Sequence, residues 1–389
     1  MDYTNATAED WRVEELTLNM GPQHPATHGV LRLELHIDGE VVKRVVPHIG
    51  YMHRCFEKHA ENLTYDQIIP FVDRLDYLGA LNSEHAYVMA VERMLGMADK
   101  IPPRVELIRV LTAELNRIAS HLLAIGAYGI DLGAITAFLW CFRDREHILN
   151  MLEWVSGARM LYNYFWIGGL YYDLPPGFTD RCREFVRYFT PKIREIETLL
   201  GENPIFVRRT ANVGVLPLET AIDYGATGPV LRASGLRWDL RKVEGYGFYS
   251  QLDFDVPMGL GLMGTVGDCW DRYYVRVEEI KQSCRLIVQA ADLLDKKYPG
   301  GGDFDPRALC PSKIRPEVSE FYFRAENPRG ELGFFFVVQP KKDVPWRVKV
   351  RSPSFSNLSV LPELCRDVPV ADVVAIVGSL DIVLCEIDR

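Results

Sequence analysis

The sequence lacks the short motifs by which many catalytic and metal sites are recognised. It contains no CxxC pair, no GxxxxGK[ST] loop, no GxSxG turn and no HExxH helix. The missing CxxC spacing excludes the usual local zinc and iron–sulfur ligand sets. The glycines of "GYGFYS" and "PMGLGLMG" are too loosely placed to predict a phosphate cradle. Generic templates therefore assign this chain neither a metal nor a reaction.

Positive charge is the scarcer sign, with 44 Lys and Arg against 53 Asp and Glu and a net charge of −9 over 389 residues. An acidic chain disfavours non-specific binding to phosphates, so we predict no nucleic-acid partner. A basic and apolar leader pattern is absent, so we expect no secretory signal. The cysteines are scattered and are expected to be reduced packing residues. They are Cys55, Cys141, Cys182, Cys269, Cys284, Cys310, Cys365 and Cys385.

Only one long apolar run is present, "LLAIGAYGIDLGAITAFLWCF" over residues 122–142. It is long enough to span a bilayer, but it holds three glycines and lacks aromatic belts on both sides. We therefore predict a buried helix pair that breaks near Gly129 to Gly133. The single charge in the run, Asp131, needs a partner, because an unpaired buried carboxylate is costly.

The pattern of apolar residues changes twice along the chain. Apolar or alternating runs between Gly-Pro and Asp-Gly turns predict strands in the first part, including a hairpin in "HIDGEVV". Three-to-four spacing then predicts long helices. Strands return in "GELGFFFVVQP" and "PWRVKVRSPS", before a last helix in "DVPVADVVAIVGSLD". We predict an α+β fold with a β-rich domain at 1–79, a helical bundle at 80–300 and an α/β segment at 301–389. In this fold a β layer from both terminal parts flanks the central bundle.

Capping signals indicate where the helices begin and end. Ser83 is predicted to cap the first long helix, which would end at Gly96. Asp268 is predicted to cap a later helix that ends near Lys296 and Lys297. The other long helices are predicted over 102–126, 143–163 and 178–201.

The stretch "GPQHPATHGV" places His24 and His28 four residues apart. On a helix this spacing would suit a shared metal ion, but Pro22 and Pro25 make a helix unfavourable here. In an extended chain the two residues would lie roughly 13 Å apart, too far to share one ion. The geometry therefore excludes a metal pair.

Three polar residues remain in unusual surroundings. His28 lies in the Pro-Gly turn, Tyr77 lies in "DRLDYLG" before the first long helix, and Asp131 lies in the apolar run. A tyrosine at a helix start is most often a packing residue with a solvated hydroxyl. A buried aspartate is most often a cap or a structural salt-bridge partner. Both structural and functional roles therefore stay open for these residues.

Longer motifs indicate a family. The segments "LNMGPQHPATHGVLRLEL", "PHIGYMHRCFEKHAENLTY", "DRLDYLGALNSEHAYVMAVE", "FRDREHILNMLEWVSGAR", "RASGLRWDLRK", "WRVKVRSPSFSNL" and the final "VGSLDIVLCEIDR" resemble the quinone-site subunit of respiratory complex I, the NuoD or 49-kilodalton type. The resemblance covers nearly the whole chain. It implies the fold of the large subunit of nickel–iron hydrogenases, which holds its metals with two CxxC motifs.

The corresponding positions of this chain carry no such ligands. Asp76 and Gly79 stand at the cysteine positions of the first motif, and Val383 and Glu386 stand at those of the second. Cys385 is one residue off the pattern. Without thiolates there is no soft-ligand site for nickel, so we expect this chain to bind no metal.

The resemblance implies a cavity in the place where the hydrogenase subunit holds its metals. In this chain that cavity is expected to hold a quinone head group instead. His28 and Tyr77 are then expected to contact its two carbonyls, with Asp131 as the partner of His28. Imidazolium and phenol are both donors that can release a proton, as quinone reduction requires. Arg54 is expected to lie beside an iron–sulfur cluster of a neighbouring subunit.

The family also implies partners. The cluster would belong to a NuoB-type subunit, and NADH and FMN would bind elsewhere in the complex. NuoC-type and NuoI-type subunits and a membrane-arm NuoH-type subunit are further expected partners, on the cytoplasmic side of a bacterial inner membrane. Leu161 and Trp166 replace a histidine and an arginine of many relatives. That histidine is associated with the pH dependence of the cluster's potential, so this dependence is expected to be weak here.

Two alternatives stay open at the level of sequence. The chain could be a subunit of a related membrane-bound hydrogenase-like complex, which the missing cysteines disfavour. It could also be a structural scaffold with no catalytic role, which the joint presence of His28, Tyr77 and Asp131 disfavours.

Overall fold

The computed structural model describes residues 16–25, 28–300 and 304–389. It has the mixed helix and sheet composition that the sequence predicts. The strands are β1 (Leu16–Met20), β2 (Arg32–Asp38), β3 (Val41–His48), β4 (Phe165–Trp166), β5 (Gly169–Leu170), β6 (Glu320–Asn327), β7 (Gly330–Val338), β8 (Pro345–Arg351) and β9 (Val368–Pro369).

The strands form separate small sheets. One sheet has the order β1-β2-β3-β9, a second has the order β6-β7-β8, and β4 pairs with β5. The predicted "HIDGEVV" hairpin is confirmed, because Asp38 pairs with Val41 in the β2–β3 ladder. The C-terminal part adds only the two residues of β9 to the N-terminal sheet, since β6, β7 and β8 pair among themselves.

The helices account for most of the remaining regular structure. They are α1 (Phe56–Ala60), α2 (Tyr65–Val72), α3 (Ala80–Met94), α4 (Pro103–Asp131), α5 (Ile135–Ser156), α6 (Phe178–Ile196), α7 (Pro204–Thr210), α8 (Leu218–Asp223), α9 (Gly228–Ala233), α10 (Leu240–Val243), α11 (Cys269–Lys296), α12 (Pro353–Ser359), α13 (Leu361–Leu364), α14 (Val370–Leu380) and α15 (Leu384–Asp388). Single turns of other helix types lie at 98–100, 197–201 and 249–251.

Several predicted helix ends are corrected by the structure. The predicted cap at Ser83 is wrong, because α3 begins at Ala80 and the Ser83 hydroxyl donates to Gly79 O within the first turn. The predicted helix over 143–163 begins eight residues earlier and ends at Ser156, where Gly157 adopts a left-handed conformation with φ 80°. The Asp268 cap is confirmed, since its side chain accepts from the backbone N–H of Asp271 at 2.8 Å.

The apolar run at 122–142 forms the predicted broken helix pair. It ends α4 at Asp131 and starts α5 at Ile135, and the two helices pack closely. A Cβ added at Gly129 would lie 3.2 Å from the Ala137 Cβ, so glycine permits the close approach. Within the described ranges, none of the helices is both long enough and apolar enough to cross a membrane.

The interior of the bundle carries many charges as well as apolar side chains. Arg109, Arg117, Arg232 and Arg241 are almost fully buried, and each has a carboxylate partner, as in the Arg109–Glu92 contact of 2.6 Å. Buried charges need such pairing because their desolvation is costly. Six of the eight cysteines are buried and all eight are free thiols.

Candidate functional site

The loop between β1 and β2 carries His28. The backbone at His28 has φ 50°, and Gly29 follows with φ 125°, which only glycine adopts readily. A Cβ added at Gly29 would lie 3.3 Å from the Leu384 side chain. The loop therefore lies against α15 at the C-terminus, and no substituted residue would fit between them without strain.

His28 and Asp131 meet across the N-terminal loop and the end of α4. His28 Nε2 lies 2.9 Å from Asp131 Oδ2, with side-chain exposures of 14% and 6%. The ring nitrogen does not point at the oxygen with hydrogen-bond geometry, so the interaction is an ion-pair contact when His28 is protonated.

Helix α14 packs against Asp131 from the other side. A Cβ added at Gly378 would lie 2.7 Å from Tyr128 Cδ2 and 3.0 Å from Asp131 Oδ2. The Tyr128 ring is itself buried, so it cannot move away freely. The absence of a side chain at Gly378 thus leaves room for the Asp131 carboxylate.

The Gly378→Ala variant should therefore disturb both packing and site. We expect a loss of about 1–3 kcal/mol from overpacking, since neither neighbour can retreat freely. The melting temperature of the purified protein would be measured. An alanine variant that melts at the wild-type temperature would contradict the close contact.

Tyr77 lies between α2 and α3 and is 38% exposed. Burial of the phenol raises its pKa, and the positive charge of Arg329 opposes the shift. Negative charge at Cys385, Asp76 and Asp381 raises the pKa further. Tyr77 therefore stays protonated at neutral pH and is placed among charged groups from three distant parts of the chain.

Arg329 is the centre of that charged group. Its Nη1 lies 2.8 Å from Asp76 Oδ2 and donates to Ser120 Oγ at 3.1 Å, and its Nη2 lies 3.2 Å from Asp381 Oδ1. The guanidinium is almost completely buried, and its carboxylate partners hold its pKa above the ordinary value against the opposing effect of burial. We call Arg329, Asp76 and Asp381 the central ion cluster.

The sequence analysis missed Arg329. The residue stands in "NPRG", the turn between β6 and β7, where a charged side chain is ordinarily solvated. Its partner Asp76 is 253 residues away in sequence. No local signal distinguishes such an arginine from a surface one.

The structure brings together the two segments that resemble metal-binding motifs. Leu78, Val383 and Cys385 pack in one small apolar cluster. Burial and the negative charge of Asp76 raise the pKa of Glu386 to about 7, and Glu386 also accepts from the backbone N–H of Ser354 at 3.2 Å. Residues 76–79 and 383–386 thus face each other, with the central ion cluster beside them.

His28 and Tyr77 both approach the C-terminal segment, but they do not contact each other. The His28 loop packs near Leu384, and Tyr77 lies within electrostatic reach of Cys385. Among the described residues, no hydrogen bond or ion pair connects Tyr77 with His28 or Asp131. Both residues therefore lie near the C-terminal segment that includes α15.

Arg54 is exposed at the surface near the same C-terminal segment. Its Nη2 donates to Arg74 O at 2.7 Å, which ties it to the end of α2. Burial raises the pKa of Cys385, and the positive charge of Arg54 opposes that shift.

Other binding chemistry is not supported by the geometry. In the part of the chain that the structure describes, no three His, Cys, Asp or Glu side chains are grouped to hold a metal ion. The stretch "GLGLMG" at 259–264 has glycines in GxGxxG spacing, but its amides are already used. Gly259 N donates to Arg232 O at 2.9 Å, and Gly261 N donates to Asp271 Oδ2 at 3.0 Å. These amides cannot cradle a phosphate.

Comparison with known proteins gives close matches. Residues 131–389 match the family model described as "Respiratory-chain NADH dehydrogenase, 49 Kd subunit". The chain is 62% identical over 375 residues to a D-type subunit of NADH-quinone oxidoreductase from Cytophaga hutchinsonii, with 96% of each chain covered. It is 61% identical over 380 residues to the D-type subunit from Amoebophilus asiaticus, covering 98% of this chain and 94% of the relative. The D-type subunit from Chlorobium phaeovibrioides is 56% identical over 381 residues, with the same coverage.

Proposed function

This chain belongs to the family of the 49-kilodalton subunit of respiratory-chain NADH dehydrogenase, and from that premise we propose that it forms the site at which the complex reduces quinone. The observation that carries the proposal is the His28–Asp131 contact of 2.9 Å beside the segment that also approaches Tyr77. His28 and Tyr77, the two candidate donors, both approach the C-terminal segment. A ligand with two carbonyls requires one donor for each oxygen.

The chemistry of quinone reduction suits these residue types. Each carbonyl oxygen gains one proton while two electrons enter the ring. His28, which lies 2.9 Å from Asp131, can donate one proton, and the Tyr77 phenol can donate the other. Since burial raises the pKa of Tyr77, the phenol keeps its proton until charge develops on the quinone oxygen. Both donors are then reloaded from solvent.

We propose that electrons come from a neighbouring subunit, since in the described ranges no three His, Cys, Asp or Glu side chains are grouped to hold a metal ion. We propose that a NuoB-type subunit supplies them from its iron–sulfur cluster and docks on the face that exposes Arg54. NuoC-type, NuoI-type and NuoH-type subunits complete the proposed surroundings, with NADH and FMN elsewhere in the complex. The proposed location is the cytoplasmic side of a bacterial inner membrane.

The proposed descent from a hydrogenase-like fold is supported by residues 76–79 and 383–386. These segments adjoin, as two metal-binding motifs would, yet the nearby cation is the Arg329 guanidinium. A fixed organic cation can balance Asp76 and Asp381 without a metal. We propose that these two segments have kept the arrangement of a hydrogenase metal site and have lost its metal chemistry.

The Asp131→Asn variant tests the role of the ion-pair contact. An amide cannot form the ion-pair contact with His28, so we expect quinone reduction at neutral pH to fall about threefold to tenfold, a change of about 0.7–1.4 kcal/mol in barrier. The rate of NADH oxidation with quinone would be measured across pH.

Asp372→Asn is the matched control. Asp372 accepts from Arg209 at 2.9 Å on α14, away from His28 and Tyr77, and its loss should leave quinone reduction unchanged. If Asp131→Asn reduces quinone at the wild-type rate at every pH, the proposed proton donation by His28 is wrong. A scaffold role would then be favoured.

A further inference from the structure

Two buried carboxyl groups outside the proposed site lie against each other. Asp73 follows α2 and Glu84 lies in α3, and neither residue is exposed to solvent. Their side chains are within hydrogen-bonding distance of one another. Two carboxylates repel at such a distance, so the contact requires a proton between them.

The other oxygen of each carboxyl is already used by the backbone of residues 163–165. Asp73 Oδ2 accepts from Asn163 N at 3.0 Å. Glu84 Oε2 accepts from Tyr164 N at 2.9 Å and from Phe165 N at 2.7 Å. Three successive N–H groups are thus held by two acids, and the preceding Leu161 and the bound Asn163 both adopt left-handed backbone conformations, with φ 60° and 46°.

The remaining oxygens depend on the shared proton. Asp73 Oδ1 and Glu84 Oε1 are buried, and in the described part of the chain neither accepts a hydrogen bond from an N–H or O–H group. One proton shared by the two acids would satisfy both at once.

The surroundings provide no substitute for that proton. Arg74, next in sequence, acts on Asp73 but donates to Pro70 O. The groups that face the pair from the opposite segment are the Tyr162 and Tyr164 phenols, with Arg145 and Arg159 acting on Tyr162. Burial raises the pKa of Asp73 to about 6, and burial together with Asp73 raises the pKa of Glu84 well above its ordinary value.

We propose that Asp73 and Glu84 form a one-proton site that holds segment 161–165 in place, so that loss of the proton releases this segment. The direction of the pH dependence follows from comparing the opened segment with the closed one. When the segment opens, both acids ionise near their ordinary pKa of about 4, whereas the closed pair retains a proton. Opening therefore releases one proton and becomes easier as pH rises. The inference does not depend on the quinone role of the subunit.

Hydrogen exchange of the full chain in its purified complex tests this. After correction for the intrinsic exchange rate, protection of the amides of Asn163, Tyr164 and Phe165 should fall up to tenfold per pH unit between pH 6 and 8. An internal control is the buried amide of Thr227, which donates to the side-chain oxygen of Asn357 at 3.0 Å. An amide oxygen does not titrate, so protection of Thr227 should not change with pH.

The Glu84→Gln variant removes the titration and keeps the contacts. Its amide can donate to Asp73 and still accept from the backbone, so protection at 163–165 should become independent of pH. Asp73→Asn should do the same, and it serves if the first variant does not assemble. The proposal would be overturned if protection of the 163–165 amides in the wild type did not change with pH. It would also be overturned if either variant showed the same pH dependence of protection as the wild type.

Discussion

Replacing Tyr77 by phenylalanine is expected to slow quinone reduction by roughly 30- to 1000-fold. The substitution keeps the ring and its packing but removes the only proton donor that Tyr77 offers to the quinone. Because that donor acts where negative charge develops, about 2–4 kcal/mol of transition-state stabilisation should be lost. The large range reflects how much of the charge the hydroxyl stabilises before the proton moves.

Two assays separate this effect from damage to assembly. NADH oxidation would be measured with quinone and with an artificial acceptor that takes electrons upstream of the quinone site. Tyr77→Phe should slow only the first reaction. Tyr224→Phe is a matched control, because Tyr224 is also 38% exposed and donates to Glu363 at 3.3 Å far from the site. Equal slowing of both reactions by Tyr77→Phe would show that its assigned role is wrong.

Replacing Arg329 by methionine is expected to prevent stable assembly of the subunit. The change leaves Asp76 buried without its cation and leaves Asp381 with Arg276, at 3.7 Å. Breaking a buried ion pair in this way costs about 3–5 kcal/mol. That is a large part of the stability of a typical domain. The yield of assembled complex and its melting temperature would be measured.

A rescue distinguishes charge from packing. Adding Asp76→Asn to Arg329→Met removes the carboxylate that has lost its cation and should recover much of the assembly. Asp381 is left unchanged because it also pairs with the buried Arg276. Lys296→Met is the surface control. The Lys296 side chain is 76% exposed, so its ion pair with Asp292 contributes little to stability. Normal assembly of the single Arg329→Met variant would mean that the two carboxylates do not depend on the guanidinium.

Local structure was largely predictable, because it depends on neighbouring residues. The spacing of apolar residues predicted α4 and α11, and the Asp-Gly turn predicted the β2–β3 hairpin. Errors occurred where tertiary contacts fixed the end of a helix. Ser83 was predicted to cap α3, but α3 begins at Ala80, three residues before Ser83, and nearly every position of this helix is buried. The short helices α12, α13 and α15 carry too few residues to show a period.

The candidate site was predicted in part. The costly position of Asp131 in an apolar run indicated that it needs a partner, and the resemblance to a known family supplied His28, Tyr77 and Arg54. Their roles remain predictions, although the structure places His28 and Asp131 in contact. Residue-level reasoning alone could not choose between structural and functional roles, because each residue type serves both.

By itself the sequence determined the acidic charge, the absence of clustered thiolates, the order of helices and strands, and the family to which the chain belongs. Only the tertiary structure decided that Arg329 pairs with Asp76 and Asp381, and that the buried Asp73 and Glu84 accept hydrogen bonds from the backbone of residues 163–165. Those interactions join residues that are far apart along the chain, and a charged residue in a turn carries no local mark of burial. Whether a charge is paired depends on which distant segment packs against it, and packing is a property of the whole fold.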